Sequence, residues 1–149
     1  MSVSVGLFAV AEVFEMSENP GQAPSYIEKI SNLLPNWQDW KDSTLPMLRS
    51  SVLGFFVGVM PGAGATIASM LSYATEKKLS QHPEKFGTGV IEAVAAPESA
   101  NNAASGGAMV PLLTLGVPGS GTTAVMMGAL LIHGLRPGPL LFEKHPDFV

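Results

Sequence analysis

The chain has no cysteine, and that removes a disulfide framework, a cysteine-based zinc site and a thiol nucleophile at once. Charge is scarce as well. Asp, Glu, Lys and Arg make up 13% of the 149 residues, against about 25% in ordinary soluble proteins. Aromatic residues are only 7%, so the apolar mass is Ala, Val, Leu, Met and Ile. Basic residues are too few for a nucleic-acid binder, since the net charge is −4 and the isoelectric point is near 5.2. What is present is apolar, small and interrupted. Hydrophobic residues reach 46%, mean hydropathy is +0.29, and 16 glycines and 12 prolines fall partly inside the apolar stretches. Membrane helices that pack closely and break for a purpose have this composition.

Two runs carry almost no ionisable group. Ser50 to Thr75 is 26 residues with only Tyr73, and Ser99 to Leu135 is 37 residues with only His133. A span needs about 20 apolar residues, so both runs are long enough to enter a bilayer. Neither reads as one plain span, because Pro61-Gly62 interrupts the first and Pro118-Gly119 the second. The first run, flanked by Arg49 and Glu76, either spans or re-enters from one side. The fold class expected is therefore all-α, with polytopic membrane helices and Pro-Gly-interrupted, re-entrant or broken helices.

Along the chain, residues 1–16 read as the end of a helix and suggest that the chain starts inside something larger. Residues 17–45 read as a polar loop with a short amphipathic turn at Tyr26 to Ile30. Trp37 and Trp40 in that loop suit a membrane–water interface, or equally a loop covering its own core. Residues 46–75 form a first interrupted helical region, with helix expected over Leu48 to Met60 and over Ala65 to Ala74. Glu76 to Phe86 reads as a loop, and Lys77, Lys78 and Lys85 place it on the cytoplasmic side. Residues 87–135 hold a polar-motif helix starting at Pro97 and a second interrupted region, with helix from Thr122 to Leu135. The whole of 1–149 is read as a single transmembrane fragment.

The two breaks resemble each other. PGAGATIASM from Pro61 and PGSGTTAVMM from Pro118 agree at five of ten positions without a gap, Thr66 with Thr123 among them. Proline ends the incoming helix, and glycine permits positive φ and close approach. The next helix then begins with free N–H groups and the positive end of its dipole. Such a start can hold an anion, and paired broken helices are how secondary transporters build midplane sites. A Gly-lined helix crossing with a Pro kink is the plain structural alternative. The substrate-binding candidates are Pro61, Gly62, Gly64 and Thr66, then Pro118, Gly119, Ser120, Gly121 and Thr123, with Asn101 and Asn102 between the breaks. Glu98, Asn101, Asn102 and Ser105 lie on one helical face at i, i+3, i+4 and i+7, and are the cation-binding candidates. They serve equally well in a hydrogen-bonded helix–helix contact.

Enzyme readings fail on the same residues. GVPGSGTT, Gly116 to Thr123, approaches the phosphate-loop pattern but has Thr122 where the lysine must be. His82, His133 and His145 have no metal spacing, and no serine sits in a nucleophile elbow. No catalytic residue, metal site or cofactor is expected.

Three longer stretches carry a resemblance. GFFVGVMPGAGATIASMLSYATEK (Gly54 to Lys77), FGTGVIEAVAAPESANNAASGGAMVPLLTLGVPGSG (Phe86 to Gly121) and GALLIHGLRPGPLLF (Gly128 to Phe142) resemble the large membrane subunit of the tripartite tricarboxylate transporters, the TctA family. Ala93 departs from the family pattern, which usually has glycine there. Family members are several-fold longer, so the chain resembles an internal fragment. The resemblance implies a multi-pass permease of the bacterial inner membrane that takes up citrate or another carboxylate by symport with a coupling cation, Na⁺ or H⁺. It would work in the lipid bilayer with a small membrane subunit and a periplasmic solute-binding protein, with no part for nucleic acid. A soluble helical interaction fragment and a degenerate nucleotide-binding module are the alternatives.

Overall fold

The computed structural model describes residues 2–18 and 34–146. The chain divides into two units, Met1–Leu34 and Pro35–Val149. In the first, helix α1 runs over Ser2–Glu18, slightly past the helix end expected at residue 16. The expected turn at Tyr26 to Ile30 lies outside the described residues. The second unit holds α2 (Trp37–Val59), α3 (Gly64–Leu79), a 3-10 turn at Pro83–Lys85, α4 (Glu92–Leu115), α5 (Gly121–Ile132) and the single turn α6 (Leu141–Lys144). Among the described residues there is helix and no strand, as the composition and breaks led one to expect.

Helix boundaries differ from expectation in four places, one of them α5, which ends at Ile132 and not at Leu135. Trp37 to Leu45 belongs to α2 rather than to a loop, because Asn36 accepts from the N–H groups of Gln38 and Asp39 while Asp39 accepts from Asn36 N–H. That capping box starts the helix early. Glu76 to Leu79 is the last turn of α3. Pro97 does not open α4; the helix formers Glu92, Ala93, Ala95 and Ala96 carry it upstream, and Pro97 sits in the second turn.

Packing is by small residues. On α2, Pro46, Ser50, Gly54 and Gly58 are buried at intervals of four, as are Ala68, Ser72 and Glu76 on α3 and Ala96, Ala100, Ala104 and Ala108 on α4. A four-residue period makes a ridge inclined to the helix axis, and small side chains along it let backbones touch. They do touch: a Cβ on Gly54 would overlap the Ala100 backbone, one on Gly58 the Ala104 backbone, and one on Gly107 the Phe55 carbonyl. α2 and α4 thus run side by side in one direction, with α3 antiparallel between the breaks and the open end.

The large apolar residues are outside. Ala68 and Ala100 are 0% exposed, whereas Met70 is 70% and Val125 77% exposed. Phe56, Ile67, Leu71 and Ile132 are exposed too. Soluble proteins bury such residues first. This inversion suits a medium as apolar as leucine. Yet among the described residues no helix is long and apolar enough to cross a membrane. α5, at 12 residues, is only about 18 Å long against the roughly 30 Å of a hydrocarbon core, whereas α2 and α4, at 23 and 24 residues, have the length but not the sustained apolarity.

Candidate functional site

The charge-free run from Ser50 to Thr75 leaves and returns. Arg49, just before it, donates from Nε to Glu76 Oε1 at 3.0 Å and from Nη2 to Glu76 Oε2 at 2.6 Å. Glu76 is 3% exposed. One turn further in, Ser72 donates to Ser50 at 2.7 Å, both hydroxyls buried. α2 and α3 therefore form a hairpin whose two charged ends meet, with Pro61-Gly62 at its tip. From Arg49 to Met60 the climb is about 16 Å.

At the tip the two breaks are tied together. Gly62 N–H donates to the Gly119 carbonyl at 3.0 Å. Gly62 and Gly64 hold φ of +86° and +69°, which side chains resist. Gly119 is pressed against Ala108 and the Gly58 carbonyl; an added Cβ would lie 3.1 Å from the first and 3.2 Å from the second. Gly121 differs from Gly64, its counterpart in the repeat. It lacks a positive φ, and a Cβ there meets nothing within 4 Å. Gly62 and Gly64 are required by their φ and not by close approach, since a Cβ on the first meets nothing within 4 Å and on the second only Ser120 Cβ at 3.9 Å; Gly121 is required by neither.

The two helix starts are not equivalent. Ser120 is extended and accepts from Thr123 N–H at 3.2 Å, and its own N–H donates to Thr123 Oγ1 at 2.8 Å. α5 thereby closes its own N-terminus, and Thr123 is buried. α3 has Ala63 at the same position and no side-chain cap. Among the described residues the N–H groups of Gly64, Ala65 and Thr66 have no acceptor, and Thr66 is exposed. The distinguishing signal is in the sequence: PGAG against PGSG differs at this one residue.

The polar candidates of α4 lie apart from the breaks. Asn102 Nδ2 donates to the Glu98 carbonyl at 2.8 Å and to Glu98 Oε1 at 3.1 Å, and Asn101 Nδ2 reaches Glu98 Oε1 at 3.4 Å. Ser105 Oγ donates to the Asn101 carbonyl. All four stay on their own helix and bridge to no other. Glu98 and Asn102 line a cleft of about 500 Å³ with Met47 and Ser51 of α2. Another cleft of about 690 Å³ lies at the open end of the hairpin, between Asp42, Arg49, Glu76, Lys85 and Glu92. Neither includes a residue of Pro61 to Thr66 or Pro118 to Thr123. Neither cleft joins Asn101 or Asn102 to the breaks. Asn102 lies about 9 Å down α4 from Ala108, where Gly119 packs.

The phosphate-loop alternative finds no support in this geometry. Gly116 to Thr123 follows a helix, not a strand, and Ser120 turns its hydroxyl onto Thr123.

Comparison with known proteins decides the family. The Tripartite tricarboxylate transporter TctA family matches residues 1–149. The chain belongs to that family. An Agrobacterium vitis protein described as "Uncharacterized 52.8 kDa protein in TAR-I ttuC' 3'region" is 42% identical over 98% of this TctA chain and 29% of its own length. Another from the same organism, "Uncharacterized protein in TAR-II ttuC' 3'region", is 48% identical over 62% of the chain and 38% of its own length. The chain thus spans about a third of the relatives it matches. No solved structure matches. Residue reasoning missed Arg49 and Glu76 as partners, Ser50 with Ser72, and the role of Ala63 as the uncapped start of α3.

Proposed function

We propose that this TctA chain contributes the hairpin and second break of a permease for cation-coupled uptake of tricarboxylates or related carboxylates. The permease is multi-pass in the bacterial inner membrane and works with a small membrane subunit and a periplasmic solute-binding protein. It is a transporter subunit and not an enzyme. Membership of a tripartite transporter family supports the reading, and so does the inverted packing, small residues inside and large apolar residues outside.

The observation that carries it is the tie between Gly62 and Gly119 beside the uncapped start of α3. A carboxylate there accepts from the N–H groups of Gly64, Ala65 and Thr66. Hydrogen bonds to a charged group contribute about 1.5–3 kcal/mol each, and the helix dipole up to about 2 kcal/mol more. Binding then needs no arginine at the tip. Pro61, Gly62, Pro118, Gly119, Ser120, Gly121 and Thr123 build the frame. The coupling cation, Na⁺ or H⁺, draws on Glu98, Asn101, Asn102 and Ser105. Uptake of labelled citrate by vesicles holding the full-length protein and its partners tests the reading. Gly64→Val should abolish cation-driven uptake with insertion intact. Unchanged uptake would overturn the assignment of the α3 start.

A further inference from the structure

The two tryptophans of the chain cover no core. Trp37 is 77% exposed and Trp40 51%, and both stand in the first turn of α2. With Lys41 and Thr44 they line a groove of about 220 Å³ whose walls are almost wholly apolar. Thr44 turns its hydroxyl onto the Trp40 carbonyl. Among the described residues neither indole N–H nor the Lys41 ammonium has an acceptor. The neighbouring carboxylates are engaged elsewhere: Asp39 caps α2 at Asn36 N–H, and Asp42 accepts from Gln38. The groove therefore joins three unused donors to apolar walls.

Above it, Leu45, Leu48, Val52 and Phe56 follow Lys41 at steps of three and four, so they share one face of α2. Each is at least 58% exposed. Helix contacts within a membrane use small residues. On α2 the small residues Ser50, Gly54 and Gly58 lie on the other side, and Gly54 and Gly58 already touch α4. The bulky face thus suits acyl chains better than a further helix. Arg49 on its flank is neutralised by Glu76. Leu45 to Met60 is about 22 Å, within a hydrocarbon core of roughly 30 Å, and Trp40 lies about 8 Å outside Leu45, at headgroup depth. The same end of the hairpin carries Lys77 and Lys78 in the last turn of α3, and Lys85 shares a cleft with Lys41. Lysines gathered at one end match an anionic leaflet.

We propose that the groove of Trp37, Trp40, Lys41 and Thr44 binds an anionic phospholipid of the leaflet at the lysine-rich end of the hairpin. The inference rests on the membrane reading above. The Lys41 ammonium and the indole N–H groups donate to the phosphate, and the acyl chains run along Leu45, Leu48 and Val52. Tryptophan suits that place, with an apolar ring and one polar N–H. A free phosphate gains nothing from apolar walls or from the bulky face, so the ligand is a lipid. Held there, it fixes the depth of the hairpin's base, and with it the height of Gly62 and Gly119 at the tip.

Quenching of tryptophan fluorescence by brominated lipid tests it, in full-length protein whose other tryptophans are replaced by phenylalanine. Vesicles of phosphatidylcholine and phosphatidylglycerol carry bromine near the carbonyl end of an acyl chain, on one lipid or the other at equal mole fraction. Brominated phosphatidylglycerol should quench at least about twofold more strongly than brominated phosphatidylcholine. Lys41→Gln should remove that preference with quenching by brominated phosphatidylcholine unchanged, and Lys41→Arg should keep it. Inorganic phosphate at constant ionic strength should not displace it. Equal quenching by the two lipids, or a preference lost to inorganic phosphate, would overturn the lipid site and leave the membrane reading standing. Protection from both lipids and from acrylamide would show another helix on this face and overturn the site likewise. Protein that fails to float with the vesicles would overturn the membrane reading, and the site with it.

Discussion

Arg49 and Glu76 bracket a charge-free run and grip each other across its two ends, with both guanidinium-to-carboxylate bonds at 3.0 Å or shorter. The run is thus closed at its base and folded at Pro61-Gly62. Gly62 then meets Gly119 from the second run. These two contacts, one at each end of the hairpin, fix where the candidate site lies.

The base contact should be costly to break from one side. Glu76 is buried, and removing Arg49, its one cation among the described residues, leaves a buried charge unpaired, at a cost of about 3–5 kcal/mol. Arg49→Ala should lower the melting temperature of the detergent-solubilised full-length protein markedly. Arg49→Lys should recover only part, because an ammonium cannot match the two-oxygen fork. Adding Glu76→Gln to Arg49→Ala should restore some of the loss. A melting temperature unchanged by Arg49→Ala would mean that the pair does not hold the hairpin.

Adjacent glycines of α4 should behave oppositely. Gly107→Ala drives a Cβ into the Phe55 carbonyl, and α2 must move away. Gly106→Ala meets open space and removes a helix-interior glycine, which favours the helix by about 0.5–1 kcal/mol. Thermal unfolding of the two variants in detergent checks this. Equal effects would contradict the direct backbone contact of α2 with α4.

The glycines at the two helix starts should also differ. Gly64→Ala forces a side chain to φ +69° and should reduce citrate uptake strongly. Gly121→Ala has neither positive φ nor a close neighbour and should retain most of it. Initial-rate uptake at matched protein levels distinguishes them. Loss with Gly121→Ala as severe as with Gly64→Ala would argue that the starts are equivalent after all.

Much of this architecture was legible in the residues, and the rest was hidden for physical reasons. Pro61-Gly62 and Pro118-Gly119 announced their breaks, because proline and glycine act on the local backbone. The return of the chain from Met60 to Glu76 was not legible. A 26-residue charge-free run has the same composition whether it runs on or folds back, and only a long-range contact such as Arg49 with Glu76 decides. The early start of α2 had a signal, Asn36 with Asp39, that the surrounding Pro and Asn content outweighed. The seam of Ser50, Gly54 and Gly58 also had one, a four-residue period of small residues. The spacing of Asn101 and Asn102 gave their face and height on α4, but not which other elements pack beside them.

The central claim is that α2 and α3 form one hairpin with both bases on the same side. Asp42 and Gln81 are exposed and line the same cleft at that base. Single cysteines at these two positions, in full-length protein free of other cysteines, should be treated in intact cells with a membrane-impermeant thiol reagent. The account predicts that both are protected from outside and that both label once the cytoplasmic face is opened, given Lys77, Lys78 and Lys85. Labelling of one from the periplasm and the other from the cytoplasm would contradict the hairpin.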